Sequence, residues 1–493
     1  MSLTAVAEVV LANAKELDKR GVVDIESKIG FRDPTQSDLD CRSRLITAIR
    51  ELERMALGPA ETIYNMLMAS TGDITSLLTL SRYAIPTHVP PHGTTTIAAL
   101  AQKCTFTTTT NPTTTPSPSP SHTLDAQTLA RLLRPAIVSG IFAEGPEPGS
   151  ISHTPTSRLL LRDPDFLDLI GFYAEENGAA AGKATLDGLE RWRNSREPAE
   201  TGFAVAAAAG QRRGERKEEP DGGKHGGGEG GGEGGAGFFA ELRRDPARVK
   251  RAAGAFNALP QMLVQGNDGL AASRVWREVD ASADDGGAHG EEEQPDDADA
   301  AAAAAAAAGT ALVVDVGGNR GHASMAIADA TSARVRFVVE DLAGPVALGE
   351  RGLPDEYRGR VSFRVQDFFE EQAVVGADVY FLRKVLHDFP DHYCVRIVRA
   401  LVPALKRGAR VVVCDRLMPD MAKAGYEQRE ARFSDLTMLQ LLNGRERTET
   451  DWKELFAEAD SRFDVEFEHW TGNLHGLIIA TWRPEQTGHQ VKL

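Results

Sequence analysis

A histidine followed by an aspartate comes directly after an apolar, strand-like run in FLRKVLHDFPD, residues 381–391. The imidazole of His387 titrates near neutral pH, so this side chain can serve as a base, a metal ligand or a capping group. Taken alone, such a histidine is more often structural than catalytic, and strand-end His-Asp pairs do occur as caps. Its chemistry therefore depends on the polar residues at the other strand ends.

A glycine-rich turn, DVGGNRG (residues 315–321), follows another strand-like run. Gly317 and Gly318 let the backbone pass close to a ligand before a helix begins, and the free N–H groups of that helix favour polar or anionic groups. The dinucleotide fingerprint G-x-G-x-x-G is broken, because Asn319 stands at its second glycine. An NAD site is thus disfavoured, and the turn alone is a weak signal for any ligand.

Three more strand ends carry polar residues. Asp341 lies 20 residues after Gly321, where a carboxylate accepts hydrogen bonds from both hydroxyls of a ribose; the alternative is an aspartate that caps a turn. Asp367 and Phe368 suit an adenine amino group and ring face, and Arg383 ends a fourth strand. Open α/β sheets bind ligands at the carboxyl ends of their strands, so these residues are expected to converge there.

The elements that must position these residues begin at Gly309. Strand-like runs alternate with helical segments from there on: ALVVDVG, RVRFVVED, RVSFRVQDFF, ADVYFLRKV and ARVVVCDR. This alternation predicts an α/β, Rossmann-like domain with a mainly parallel sheet over residues 309–493. The final stretch, RFDVEFEHWTGNLHGLIIATWRP, predicts two strands that form a hairpin at one edge of the sheet.

The first 308 residues predict an α-helical and winged-helix region. Residues 1–85 show helical spacing, typical of a dimerisation region or equally of an intrachain bundle. Residues 86–165 predict a winged-helix-like domain with a disordered Thr/Pro/Ser insert, and residues 166–308 a helical linker with glycine-rich and acidic/poly-alanine inserts. We expect the inserts to be unstructured, because they cannot bury a core.

Charge and cysteine content exclude several classes of protein. The net charge is -16, and more than half of it comes from residues 280–299, which hold nine acidic side chains and no Lys or Arg. The chain has no basic field that would attract nucleic acid, so a winged-helix DNA-binding regulator is disfavoured. The four cysteines lack CxxC spacing and fit a reducing compartment. Without a signal peptide or about 18 uninterrupted apolar residues, the chain is predicted to be cytoplasmic, with no membrane partner.

Six segments together resemble one family: DVGGNRG, VVEDLAGPV, RVQDFF, ADVYFLRKVLHDFPDHYCVRIVRALVPAL, RVVVCDRLMP and SDLTMLQLLNGRERTETDW. They are similar to the small-molecule O-methyltransferases of the plant caffeate type that depend on S-adenosylmethionine (SAM), and especially to the fungal branch that methylates phenolic polyketides. The resemblance covers residues 309–485 densely and the N-terminal half loosely. It implies SAM as cofactor, a phenolic aromatic secondary metabolite as acceptor and a homodimer. No carboxylate-rich motif demands a metal ion.

The resemblance implies a cofactor site with six residues: Gly317, Gly318, Asp341, Asp367, Phe368 and Arg383. The glycines would line it, the first aspartate would hold the ribose, the second aspartate and the phenylalanine would meet the adenine, and the arginine would lie over the cofactor. His387 would be the general base, flanked and oriented by Asp415 and Glu446. The sequence departs from the family's pattern at Asn319-Arg320 and at Phe389, where Trp is frequent.

The implied chemistry is the deprotonation of a phenol. With a pKa of about 10, only about one phenol in a thousand is ionised at pH 7. A neutral imidazole that accepts the proton as attack begins is worth roughly 10²- to 10⁴-fold, and the two carboxylates would stabilise the imidazolium. The alternatives are a catalytically silent SAM-binding or scaffold relative and, least favoured, an NAD-dependent dehydrogenase. Met438, Leu441 and Leu442 are candidates for the pocket wall or for the ordinary core.

Overall fold

The computed structural model describes residues 2–105, 123–193, 195–215, 237–262, 266–284, 310–419, 425–470 and 474–484. Most of the Thr/Pro/Ser, glycine-rich and acidic/poly-alanine inserts lies outside the described residues. The chain divides into two compact units: Met1–Leu186, Val205–Glu218 and Phe239–Val264 form the first, and Asp187–Ala204, Glu219–Phe238 and Gln265–Leu493 form the second. The described part contains no helix long and apolar enough to cross a membrane.

The N-terminal part of the chain is mainly helical. Its helices are α1 (Leu3–Arg20), α2 (Gln36–Arg82), α3 (Ile85–His88), α4 (Ile97–Ala101), α5 (Ala126–Val138), α6 (Pro155–Arg162), α7 (Pro164–Phe172), α8 (Gly178–Ala180), α9 (Lys183–Trp192), α10 (Gly202–Glu215), α11 (Phe238–Arg243) and α12 (Pro246–Met262), with a π-helical turn at Tyr173–Asn177. A small antiparallel sheet, in the order β1-β3-β2, consists of β1 (Thr95–Thr96), β2 (Phe142–Glu144) and β3 (Ser150–His153).

Helix α2 starts at a capping box, in which Thr35 and Asp38 bond each other's backbone N–H groups. It is interrupted at Gly58, whose φ of 71° is left-handed, and Pro59 then starts the second half. The small sheet packs with α4 and α5 around buried apolar residues such as Leu100 and Leu129, which is the arrangement of a winged helix.

The second unit is built on one large sheet. Its strands are β4 (Ala311–Val316), β5 (Val335–Asp341), β6 (Val361–Val365), β7 (Val379–Arg383), β8 (Arg410–Met418), β9 (Arg447–Thr448), β10 (Phe463–His469) and β11 (His475–Trp482). The order is β10-β11-β8-β7-β4-β5-β6, with β9 beside β8. Strands β4 to β8 run parallel, and β10 and β11 form the predicted antiparallel hairpin at one edge.

The helices of this region include those that cover both faces of the sheet. They are α13 (Gly266–Ala271), α14 (Arg274–Asp284), α15 (His322–Asp329), α16 (Ala343–Gly352), α17 (Asp391–Leu401), α18 (Tyr426–Leu442) and α19 (Glu449–Ala459). One core cluster contains Trp452 with alternate residues of the strands, and the other contains Trp276 with the residues between them. Burial on both faces explains why the central strands read as continuous apolar runs.

The strand order reverses between β4 and β7: the chain runs from β4 to β5 and β6 on one side and from β7 to β8 on the other. Ligands of open α/β sheets bind at such a reversal, beyond the carboxyl ends of the strands. The predicted Rossmann-like fold after a helical, winged-helix-like region is therefore confirmed. The reversal also identifies the edge of the sheet where the site residues must be sought.

Candidate active site

The turn after β4 accepts only glycine at its first two positions. Gly317 has a φ of 73°, and a Cβ atom there would lie 2.9 Å from Cγ2 of Val385. A Cβ atom on Gly318 would lie 2.6 Å from Cγ of Asp315. Asn319 is also left-handed, with a φ of 53°, and asparagine tolerates this conformation better than most residues. The turn therefore forms although it has one glycine fewer than the family's pattern.

Asp341, at the end of β5, faces this turn. Its Oδ2 atom accepts a hydrogen bond of 2.9 Å from the backbone N–H of Asn319, and its Oδ1 atom accepts one of 2.7 Å from that of Leu342. Burial raises the pKa of Asp341, and the two N–H groups oppose that rise. Each carboxylate oxygen keeps a further lone pair, so the side chain can still accept hydrogen bonds from two ribose hydroxyls.

The remaining predicted cofactor residues lie at the next strand ends. Asp367 is exposed two residues after β6, and its carboxylate accepts a 3.0 Å hydrogen bond from the N–H of Phe369. Phe368 is half-buried, with Cε1 3.7 Å from where a Cβ atom of Gly317 would be, so ring and turn are neighbours. Arg383 ends β7 and opposes the burial that raises the pKa of the Cys414 thiol to about 11.

This edge of the sheet fits the cofactor that the resemblance implies. A close-approach glycine turn, a carboxylate with free lone pairs and an aromatic ring lie side by side, as an adenosyl group requires. Phe389 packs edge-on against Phe368, with ring centroids 5.8 Å apart, so the aromatic side of the site continues into the loop after β7. The Trp-to-Phe departure at this position keeps an aromatic contact.

His387 lies in that loop, within the single 3₁₀ turn Leu386–Asp388. Its Nδ1 atom is 3.3 Å from Oε1 of Glu446 and 4.0 Å from Oδ1 of Asp415. Its Nε2 atom is 3.5 Å from Oδ1 of Asp388. The structure therefore brings the three predicted catalytic residues together, and it adds a third carboxylate on the other side of the ring.

The carboxylates set the charge of His387. Burial lowers its pKa, but Asp415, Glu446 and Asp388 together raise it to about 9, so the imidazolium predominates at pH 7. Burial raises the pKa of Glu446, but the ion pair with His387 outweighs it and leaves that pKa at about 2. Burial dominates for Asp415, whose pKa rises to about 7 although His387 opposes the shift. The neutral imidazole that accepts a proton is therefore the minor form of His387 at pH 7.

The two acidic partners differ in their support. Glu446 is supported at Oε1, which accepts a 2.8 Å hydrogen bond from Ser434 and lies 3.7 Å from Nε of Arg416. Its backbone N–H donates a 2.9 Å hydrogen bond to Asp435, and its Oε2 atom is buried without a hydrogen-bond partner among the described residues. Both carboxylate oxygens of Asp415 are buried without a hydrogen-bond partner in the described part of the chain. Glu446 thus orients the ring, while Asp415 acts on it through its charge alone.

Two polar residues at this site have no assignment from the sequence. Asp388 lies beside Nε2, and burial raises its pKa to about 6. Ser434 holds Glu446 from the middle of α18. The only signal for Asp388 is its position next to the histidine, which a capping role explains equally well. Ser434 gives no signal, because its contact depends on how α18 packs.

A cavity of about 580 Å³ opens next to Glu446. Its apolar wall is formed by Met418, Phe433, Leu436 and Leu439, and neither the histidine nor the glycine turn lines it. None of the three residues suggested for the pocket wall lines it either: Leu441 and Leu442 are buried core residues and Met438 is half-buried.

Known proteins carry the same domain. The sequence model of the O-methyltransferase domain matches residues 297–462. O-methyltransferase AMT9 of Alternaria alternata is 32% identical over 358 residues, which cover 72% of this chain and 70% of that protein. Chlorophenol O-methyltransferase of Trichoderma longibrachiatum is 30% identical over 448 residues, 90% of this chain and 80% of that protein.

Among solved structures, OxaC in complex with SAH and oxaline aligns with a TM-score of 0.70 at 19% identity, over 98% of this chain and 99% of that one. At this identity the likeness shows the fold, and the two relatives carry the assignment to a family. The chain therefore belongs to the SAM-dependent O-methyltransferases of the secondary-metabolite type.

Proposed function

We propose that this methyltransferase acts on a phenolic hydroxyl of an aromatic secondary metabolite, with His387 as the general base. The observation that carries the proposal is the histidine ring with Nδ1 3.3 Å from Glu446 and 4.0 Å from Asp415. This arrangement turns Nδ1 towards Glu446 and Asp415, so Nε2, which has Oδ1 of Asp388 as its neighbour at 3.5 Å, is the nitrogen that would take the acceptor's proton. A relative named chlorophenol O-methyltransferase, 30% identical, supports a phenol as the acceptor class.

The raised pKa makes His387 a base matched to a phenol. Transfer of a proton from a phenol with a pKa of about 10 to an ordinary imidazole is uphill by about 3.5 pKa units, or ~5 kcal/mol. Transfer to His387, with a pKa of about 9, is uphill by about one unit, or ~1.4 kcal/mol. The cost is that about one site in a hundred holds the neutral base at pH 7. Turnover should therefore rise with pH up to about 9.

Bound SAM supplies a methyl group activated by its sulfonium charge. The hydrogen bond from the N–H of Asn319 holds Asp341 against the glycine turn. Nε2 of His387 accepts the proton of the acceptor, and the resulting imidazolium stays paired with Glu446. Positioning of the reacting groups in a site that excludes water supplies much of the remaining acceleration.

The test is methyl transfer to matched acceptors. The full chain is incubated with SAM and chlorophenol, and anisole and benzoate serve as comparison acceptors without a phenolic hydroxyl. Mass spectrometry should detect a methyl ether from the phenol only, and His387→Ala should lose at least 10²-fold in turnover while SAH affinity, measured by calorimetry, stays within about threefold. SAH binding without transfer to any phenol of a panel would instead favour the catalytically silent relative.

The exposed face of α2 supports the homodimer in this proposal. Ile63, Met66 and Leu67, spaced at three and four, are 64%, 61% and 63% exposed, and Ile49 in the first half of the helix is 46% exposed. Monomers rarely expose such a contiguous apolar face, and a second copy would cover it symmetrically. Ile63→Glu should halve the mass seen by light scattering, whereas Val138→Glu, at an equally apolar exposed site, should not.

A cytoplasmic location also remains part of the proposal. All four cysteines are free and buried, which suits a reducing compartment. Fluorescence microscopy of the tagged chain, expressed in a filamentous fungus, should show a diffuse cytoplasmic signal. A signal confined to an organelle would contradict this part.

A further inference from the structure

Arg447 is a charged side chain with no exposure to solvent, and it lies next to Glu446 in the chain. A buried guanidinium is costly unless each of its N–H groups finds a partner. Here the charge is paired with Asp391, whose Oδ1 atom is 2.8 Å from both Nε and Nη2. The guanidinium also lies over the ring of Trp452, 5.2 Å from the centroid. The ion pair and the ring contact therefore fix the position of the guanidinium.

Its other N–H groups hold the backbone of the histidine loop. Nη1 donates to the carbonyl oxygen of Leu386 at 2.9 Å, and Nη2 donates to that of Phe389 at 2.8 Å. These carbonyls bracket His387 and Asp388. Weaker contacts to the carbonyl of Arg445 at 3.3 Å and to the thiol of Cys394 at 3.3 Å complete the five donors.

The short strand β9 explains how one segment reaches both the ring and the backbone of His387. The strand begins at Arg447, which pairs with Leu417 at the end of β8, and Glu446 comes immediately before it. Glu446 bonds the imidazole, and Arg447 bonds the carbonyls on either side of it. Gly444, just before them, packs against the carbonyl oxygen of His387 so closely that no side chain fits.

We propose that Arg447 is a positioning residue for the base: it fixes the 3₁₀ turn so that Nε2 of His387 stays in line with the acceptor and Nδ1 stays against the carboxylates. The inference rests on the proposed role of His387. A displacement of about 1 Å at a reacting group can reduce turnover by about 10²-fold. The same displacement would move the imidazole away from the carboxylates that raise its pKa.

The first experiment compares Arg447→Lys with Arg445→Lys. Lysine keeps the positive charge near Asp391 but lacks the planar fork that reaches both carbonyls. Arg445, two positions earlier, is 41% exposed at its side chain and pairs with Asp391 and Asp451, so it is a matched control for the loss of a guanidinium beside Asp391. Arg447→Lys should lower kcat by about 10- to 100-fold with SAH affinity within threefold, and Arg445→Lys should change kcat by less than threefold.

A readout beyond stability is the pH–rate profile. The apparent pKa of the base should fall by about one unit in Arg447→Lys and stay unchanged in Arg445→Lys. If Arg447→Lys does not fold, Asp391→Asn takes its place, because it leaves the guanidinium but removes the anion that orients it. We expect a smaller loss of kcat in this variant and a shift of the profile in the same direction. An unshifted profile in the folded variant would overturn the proposal.

A double-mutant cycle separates this inference from the proposed function. If Arg447 acts through the base, His387→Ala with Arg447→Lys should be no slower than His387→Ala alone. Additive losses would mean that Arg447 acts on something else and would overturn the inference. Full activity of His387→Ala by itself would instead refute the proposed base, whatever the effect at Arg447.

Discussion

Asp415→Asn is expected to stabilise the fold and impair the enzyme. Both carboxylate oxygens of Asp415 are buried, and neither has a hydrogen-bond partner in the described residues. Its ion-pair partner is His387, whose Nδ1 atom is 4.0 Å away. A buried carboxylate with so little support destabilises the native state whenever it is ionised.

The magnitude follows from the pKa of Asp415, which burial raises from 3.8 to about 7. This shift corresponds to about 4 kcal/mol of differential free energy between the two protonation states. It is an upper limit for the substitution, because the amide of asparagine also needs partners. We expect a net gain in the free energy of unfolding of about 1–3 kcal/mol at pH 8.

The sign of the pH dependence follows from linkage. Because the folded pKa of Asp415 is raised, its stabilising contribution is fully present below pH 3.8 and is lost as the pH rises towards 7. In this window the folded protein holds a proton that the unfolded chain has released. Asparagine does not ionise, so the free energy of unfolding of the variant should exceed that of wild type by more at pH 8 than at pH 5.

The assay is denaturant unfolding of wild type and variant at both pH values, with SAH absent. Asp451→Asn is the control with the opposite sign, because Asp451 accepts hydrogen bonds from the backbone N–H and the hydroxyl of Thr448 in a capping box. It should destabilise by about 1 kcal/mol. A destabilised Asp415→Asn at pH 8, or a gain in stability that does not depend on pH, would show that the ionised Asp415 does not destabilise the native state.

Three further substitutions test the site. Asp341→Ala should weaken SAH binding at least 10-fold by calorimetry, since it removes the proposed ribose acceptor; an unchanged affinity would place that contact elsewhere. Gly317→Ala should weaken SAH binding and lower the melting temperature, because its Cβ atom would lie 2.9 Å from Val385 and its φ is 73°. Ser434→Ala should reduce turnover several-fold with normal SAH affinity, because Glu446 loses its 2.8 Å hydrogen bond. An equal loss of turnover and of SAH affinity would contradict this role of Ser434.

Much of the catalytic unit could be predicted from the sequence, because its signals are local. Alternating apolar runs and helical segments specify a parallel sheet, and the reversal of strand order then brings the strand ends to one edge. The tight turn at Gly317 is also local, since it depends on the residue's own φ. Asn319 looks like a defect in the pattern, yet it occupies the left-handed position that asparagine tolerates.

The features that the sequence did not reveal are tertiary. The pKa of His387 depends on three carboxylates from three separate segments, and only their distances show that they outweigh burial. Arg447 follows Glu446 in the sequence, but its contact with the carbonyls of the histidine loop depends on the pairing of β9 with β8. The helical pattern that includes Ile49 predicts an apolar face but cannot say whether the same chain covers it.

The role of His387 as the base is tested by the pH dependence of single-turnover methyl transfer to a phenol, measured in wild type and in His387→Ala. We expect the wild-type rate to rise about tenfold per pH unit and to level off near pH 9, where His387 loses its proton. The variant should be slower by at least 10²-fold at the plateau and should lack that titration. The same rate and the same profile in both proteins would show that His387 is not the base.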